Sequence, residues 1–189
     1  MMTTETLEAH LEARTESQRL DFKRAGDWDV SRLAKDILAM SNVQYGGDLI
    51  IGVDDGTFHR TGVTPEQELT YVSDVMRDQM TRFADPHVQF DVAVVPDRSG
   101  LRYVVIQVRQ FSEVPVICRV DDTKAGVKNG ILYYRTLHRR PESAAVSNSF
   151  DMRTTLDLAT IKMMQQRKAA GYTVEESAAE ALTEELGGL

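Results

Sequence analysis

The stretch from Asp29 to Gly56 constrains the fold more than any other. Val30, Leu33, Ala34, Ile37 and Leu38 repeat at helical spacing, and Asp29 stands where an N-cap belongs. The helix is expected to end near Asn42, because Gly46-Gly47 supplies the backbone freedom of a sharp turn. Asp48 to Val53 is apolar and β-branched enough to be an inner strand, and Asp54-Asp55-Gly56 closes it as a turn. A helix turned back into a buried strand calls for a sheet with helices on its faces.

The flanking patterns supply the other elements. Residues 5–13 read as a short helix, with Leu7 and Leu11 four apart. From Ser17 to Arg24 the chain alternates, Leu20 and Phe22 one way, Arg19, Asp21 and Lys23 the other. This predicts a half-buried strand with a charged outer face. Thr64, Pro65 and Gln67 form a capping box with proline in the first turn, opening a helix expected to reach Phe83. Strands follow at 88–95, 101–108, 114–119 and 131–135, the first two joined by a hairpin loop at 96–100. Lys124 to Gly130 reads as a flexible basic loop. From Phe150 the pattern is helical, with Met152, Leu156, Ala159, Met163 and Met164 assigned to one side, and a last helix starts near Thr173. The expectation is an α+β fold: a mixed or antiparallel sheet of about five or six strands flanked by helices. Residues 1–149 form the domain and 150–189 a helical C-terminal extension.

Charge narrows the function. A net charge of −7 argues against coating nucleic acid by bulk attraction, so any such site has to be local. Residues 119–141 hold six bases against two acids, Arg119, Lys124, Lys128, Arg135, Arg139 and Arg140 against Asp121 and Asp122, a balance of +4. Residues 174–189 carry five glutamates and no base. No apolar run approaches the roughly 20 residues of a membrane span, and the N-terminus has no export pattern. A cytoplasmic location is expected. Cys118 is the single cysteine, so neither an internal disulfide nor a Cys-rich zinc site is expected. The four histidines are scattered without ligand spacing.

Three blocks carry a family resemblance. Glu16-Ser17-Gln18-Arg19-Leu20-Asp21-Phe22-Lys23 resembles the opening Glu-Ser-x-x-x-Glu-Phe-Lys of Schlafen AlbA-like domains. Ala39-Met40-Ser41-Asn42 with Gly46-Gly47 and the strand into Gly52-Val53-Asp54-Asp55 is similar to their central signature. Leu132-Tyr133-Tyr134-Arg135 resembles the closing tyrosine-arginine strand. The blocks come in family order. Asp21 replaces the family glutamate, Met40 replaces an aromatic, and the spacing from Asn42 to the glycines is one residue longer.

The resemblance implies chemistry. In Schlafen ribonucleases three carboxylates at these positions form a metal-dependent endoribonuclease site, which maps onto Glu16, Asp21 and Asp55, with Lys23 beside them. Mg²⁺ or Mn²⁺ is the implied metal, since hard cations take oxygen ligands and activate water. The plainer alternative makes Asp54 and Asp55 a turn and Asp21–Lys23 a surface ion pair. ATP is not expected, because no Gly-x-x-x-x-Gly-Lys-Ser/Thr motif occurs. Nucleic acid, RNA or DNA, is expected to contact Arg119, Lys124, Lys128, Tyr133, Arg135, Arg139 and Arg140, where tyrosines lie among cations. The leading reading is a nucleic-acid-binding protein with metal-dependent endoribonuclease activity on structured RNA as its extension. The alternatives are a non-catalytic DNA-binding regulator and an interaction protein recruited through its tail. Eukaryotic Schlafen cores set two such lobes around a basic groove, so a homodimer is the expected way for one lobe to rebuild it.

Overall fold

The strand after the Gly46-Gly47 turn lies inside the main sheet of the computed structural model, which describes residues 2–136 and 141–171. The elements are α1 (Thr4–Ala13), β1 (Leu20–Lys23), α2 (Val30–Ser41), β2 (Gly47–Ile51), α3 (Pro65–Glu68), α4 (Ser73–Thr81), β3 (Ala84–Asp85), β4 (Phe90–Pro96), β5 (Arg102–Val108), β6 (Ile117–Cys118), β7 (Tyr133–Arg135), β8 (Ser143–Ala145) and α5 (Ser149–Ala169). The main sheet runs β1-β2-β5-β4. β1 and β2 are parallel, joined through α2, and the other pairs are antiparallel. The fold is α+β with a mixed sheet, as expected, but the sheet has four strands. The remaining strands pair off as two-stranded ribbons, β3 with β6 and β7 with β8. β3 and β8 are two and three residues long, too short to leave a periodic signal.

Register sorts the sheet residues onto two faces. Leu49, Ile51, Val104 and Ile106 lie under α2, against Leu33, Ala34, Ile37 and Leu38. Leu20, Phe22, Ile50 and Val105 form a second core with Leu7 and Leu11 of α1. Helix and strand periodicity place Leu33, Ile37, Leu38, Ile50, Ile51, Val53, Val94, Val105 and Ile106 inside, and all are buried except Val94, half-buried on the edge strand β4. α1 is pinned by buried Glu8, whose carboxylate accepts from the Arg98 backbone N–H (2.7 Å) and Arg60 (3.1 Å).

Local signals were met where they were strongest. Asp29 caps α2 by accepting from the Ser31 N–H, and Thr64 and Gln67 form the capping box of α3. A Cβ on Gly46 would collide with the Val108 carbonyl, and one on Gly47 would press on the Arg19 carbonyl at 2.7 Å. The glycine pair is therefore fixed by close backbone packing.

Four expectations need correction. The helix from Pro65 does not reach Phe83. It breaks after Glu68, where Thr70 Oγ1 accepts from the Trp28 N–H and Tyr71 Oη donates to the Gly26 carbonyl, turning the chain inward. The basic loop after Lys124 is a closed turn, with Asp122 and Val127 exchanging two backbone hydrogen bonds of 3.0 Å and Ala125 and Val127 buried. Helix α5 docks through Asp151, Thr155, Leu158 and Ala159, leaving Met152, Leu156, Met163 and Met164 exposed. Apolar residues lie all around α5, so its sequence does not choose the buried face. The charged side of β1 also faces inward, with consequences for the site. The last helix expected from Thr173 lies outside the described residues. Among the described residues no helix is long and apolar enough to cross a membrane.

Candidate functional site

Asp21 and Lys23 share the β1 face that carries Leu49 and Ile51 in the neighbouring strand, and this face looks toward α2. There the chain builds a charged cavity of about 610 Å³. β1 supplies Asp21 and Lys23, and the first two turns of α2 supply Ser31, Arg32, Lys35 and Asp36. The turn after β2 contributes Asp55, β7 contributes Arg135, and β8 contributes Ser143. Glu16 lines it too. A second cavity adjoins it, sharing Lys23, Arg32 and Asp55 and adding Arg24, Asp54 and Thr57.

Inside the cavity the charges are paired in a chain. Lys23 Nζ lies 2.7 Å from Asp21 Oδ2 and 3.0 Å from Asp36 Oδ2. Arg135, fully buried, places Nη1 3.2 Å from the same Asp21 oxygen and donates from Nη2 to the Ser17 (3.1 Å) and Leu20 (3.3 Å) carbonyls. Glu16 Oε1 accepts from the Phe22 N–H at 3.2 Å. Burial pushes the Asp21 carboxyl above its ordinary range, more than Lys23 and Arg135 pull it down, and Glu16 adds to the rise. Burial acts to lower the Lys23 ammonium, but Asp36 and Asp21 outweigh it and hold its pKa up. The pairs thus secure the lysine's charge better than the aspartate's, because Asp21 is the more deeply buried partner.

Two features mark this cavity. Among the described residues, four side chains bury a polar atom without a hydrogen-bond partner, namely Asp21 Oδ2, Asp48 Oδ1, Arg135 Nε and Ser143 Oγ. Three of the four line this cavity. Asp21 Oδ2 belongs with them because its cation contacts are close but not aligned as hydrogen bonds. Native interiors leave few such atoms, so their convergence points to a ligand or ordered solvent. Second, Arg24, Arg32 and Lys35 have no acidic partner among the described residues. Arg32 only donates to the Arg24 carbonyl, at 3.0 Å.

Placement of the expected site residues is uneven. Glu16, Asp21, Lys23 and Asp55 line one cavity. Among the described residues, however, no three carboxylate, histidine or cysteine side chains are disposed to hold one metal ion. Asp21 is engaged by Lys23 and Arg135, and Glu16 by backbone. As placed, these residues do not fit a cation held by three carboxylates. Of the expected nucleic-acid contacts, Lys124 lines the cavity and pairs with Asp29 at 3.0 Å, and Lys128 and Arg119 are exposed. Tyr133 and Arg135 are buried instead of standing on an exposed basic surface: Tyr133 Oη accepts from the Lys128 N–H, Arg135 donates to β1, and each reaches ligand only through a cavity that it lines. Arg139 and Arg140 lie outside the described residues. Arg24, Arg32, Lys35, Asp36 and Ser143 were missed. On α2 the signal was there, since Arg32 and Lys35 share its polar side one turn apart.

Comparison with known proteins fits this architecture. The family model described as Schlafen, AlbA_2 matches residues 16–140. The chain belongs to the Schlafen AlbA_2 family. The matched stretch begins at Glu16 and takes in the main sheet and β7. Among solved structures, the DIP2311 protein from Corynebacterium diphtheriae is similar, with 20% identity and a TM-score of 0.52 over 78% of this chain. The alignment covers 27% of that protein, and the likeness is one of fold. No curated protein matches.

Proposed function

We propose that this Schlafen AlbA_2 chain binds nucleic acid, with backbone phosphates held at the mouth of the charged cavity by Arg24, Arg32 and Lys35. The observation that carries the reading is that these unpaired cations gather, in an acidic protein, around a cavity with unsatisfied buried polar atoms. Phosphate oxygens answer both features, because they neutralise cations and accept from buried donors such as Arg135 Nε and Ser143 Oγ. Family membership supports the same class of ligand.

The test is a salt titration. Arg32→Ala with Lys35→Ala is expected to weaken binding at least about tenfold at low salt, the order expected when a hydrogen bond to a charged group is removed. It should also reduce the slope of log K against log salt by roughly one for each phosphate no longer neutralised. Arg153→Ala, exposed on α5 and not lining the cavity, is the control. Unchanged affinity and slope in the double variant would remove the cavity from the binding surface.

Cleavage of structured RNA is the narrower reading: Glu16, Asp21 and Asp55 line one cavity, but as placed they do not gather around a single metal position. It requires Asp21 to be released from Lys23 and Arg135. In the same titration Mn²⁺ is expected to leave RNA intact, and cutting abolished by Asp55→Asn would establish the nuclease instead.

A further inference from the structure

Beside the charged cavity lies a more apolar one. It has a volume of about 740 Å³ and sits between the 121–131 turn and β8. That falls within the ~300–1,000 Å³ of small-molecule sites. Val127, Ile131, Tyr133, Ala144 and Ala145 give it apolar walls. Tyr133 is held in place, since its hydroxyl accepts from the Lys128 N–H at 2.8 Å.

The slot is continuous with the charged cavity, because Lys35, Glu142 and Ser143 line both. At that shared wall Ser143 Oγ is buried without a partner, and the Glu142 carboxylate has none among the described residues. An apolar body with polar edges, attached to a phosphate next door, matches the lining of the two cavities.

We propose that the slot receives an unpaired nucleobase whose phosphate sits at Lys35, so that the preferred ligand is single-stranded or locally unpaired. This rests on the backbone-binding reading of the charged cavity. A base stacked within a duplex cannot enter a concave site without leaving the stack, and single strands avoid most of that penalty. Apolar walls then reward the base, while Ser143 and Glu142 offer a hydroxyl and a carboxylate to its edge. A peptide side chain in the slot would show no dependence on nucleic-acid bases.

Fluorescence anisotropy with the full chain and three labelled probes tests this. The probes are a mixed-sequence single strand, its duplex, and a strand of the same length in which every nucleotide is abasic. The single strand is expected to bind about tenfold tighter than the other two, the order expected for one base on an apolar platform. Ala145→Phe, at an exposed position on the slot wall, should bring the single strand down to the abasic level. The affinity and salt slope for the abasic strand should stay unchanged, which also shows that the variant is folded. Thr123→Trp, exposed on another part of the wall, should do the same. Equal binding of single and abasic strands, with both weakened by Arg32→Ala/Lys35→Ala, would overturn the slot and leave backbone binding standing. A tenfold preference that survives both filling variants would also overturn it. Failure of the wild type to bind any probe would sink the backbone reading, and the slot with it.

Discussion

Asn42→Ala is expected to lower the unfolding free energy by about 3–5 kcal/mol, the range for breaking a buried hydrogen-bond network. Asn42 caps the C-terminus of α2 and is fully buried. Its amide nitrogen donates to the Val116 (2.8 Å), Tyr133 (2.9 Å) and Leu38 (3.3 Å) carbonyls, and its oxygen accepts from the Val116 N–H (2.8 Å). One side chain thus joins α2 to the segment entering β6 and to β7. Truncation leaves both polar groups of Val116 and the Tyr133 carbonyl without these partners in a dry interior. Asn42→Asp is expected to be no better at pH 7, since it keeps the acceptor but turns an anion toward three carbonyls. Urea unfolding measures both, with a midpoint shift of roughly 2 M for a typical slope. A loss under about 1 kcal/mol would show that Asn42 does not clasp these elements.

Arg135→Met is the second large effect. The guanidinium is buried, so its removal leaves Asp21 with Lys23 alone and takes the donor from the Ser17 and Leu20 carbonyls. Breaking a buried pair from one side costs about 3–5 kcal/mol. Adding Asp21→Asn to this variant is expected to recover part of that loss, giving a coupling above about 1 kcal/mol. The pH dependence has a definite sign. Asp21 has a raised folded pKa, so it favours folding below about pH 4, and that contribution is lost as pH rises through the folded pKa. Removing Arg135 raises the carboxyl further, so the penalty of Arg135→Met should be larger at pH 8 than at pH 4. Equal penalties at both pH values would show that the arginine does not serve Asp21.

These two residues show what could be read from the chain and what could not. The α2 helix, its Asp29 cap, the glycine turn and the capping box at Thr64 are written within a few consecutive residues, and each forms as expected. Asp21 is different. Its alternation with Phe22 is a local pattern, but whether it faces water or protein depends on Arg135 and Asp36, distant in sequence. For the same reason Tyr133 and Arg135 read as exposed contacts beside other cations, although β7 packs on α2 and buries them. The break at Thr70 likewise depends on partners at Gly26 and Trp28. The cations now placed at the cavity mouth look, in sequence, like the ordinary polar side of a helix. Only the fold shows that, among the described residues, they lack acidic partners while seven of the other twelve arginines have one.

Bound nucleic acid is expected in the charged cavity between β1, α2 and β8. Amide hydrogen exchange of the full chain, with and without a saturating single-stranded oligonucleotide, tests it most directly. Added protection is expected in residues 23–36, 121–128 and 141–146, which border the three cavities, with little change in β4 or α5. Protection confined to β4 or to α5, with residues 23–36 unchanged, would contradict it.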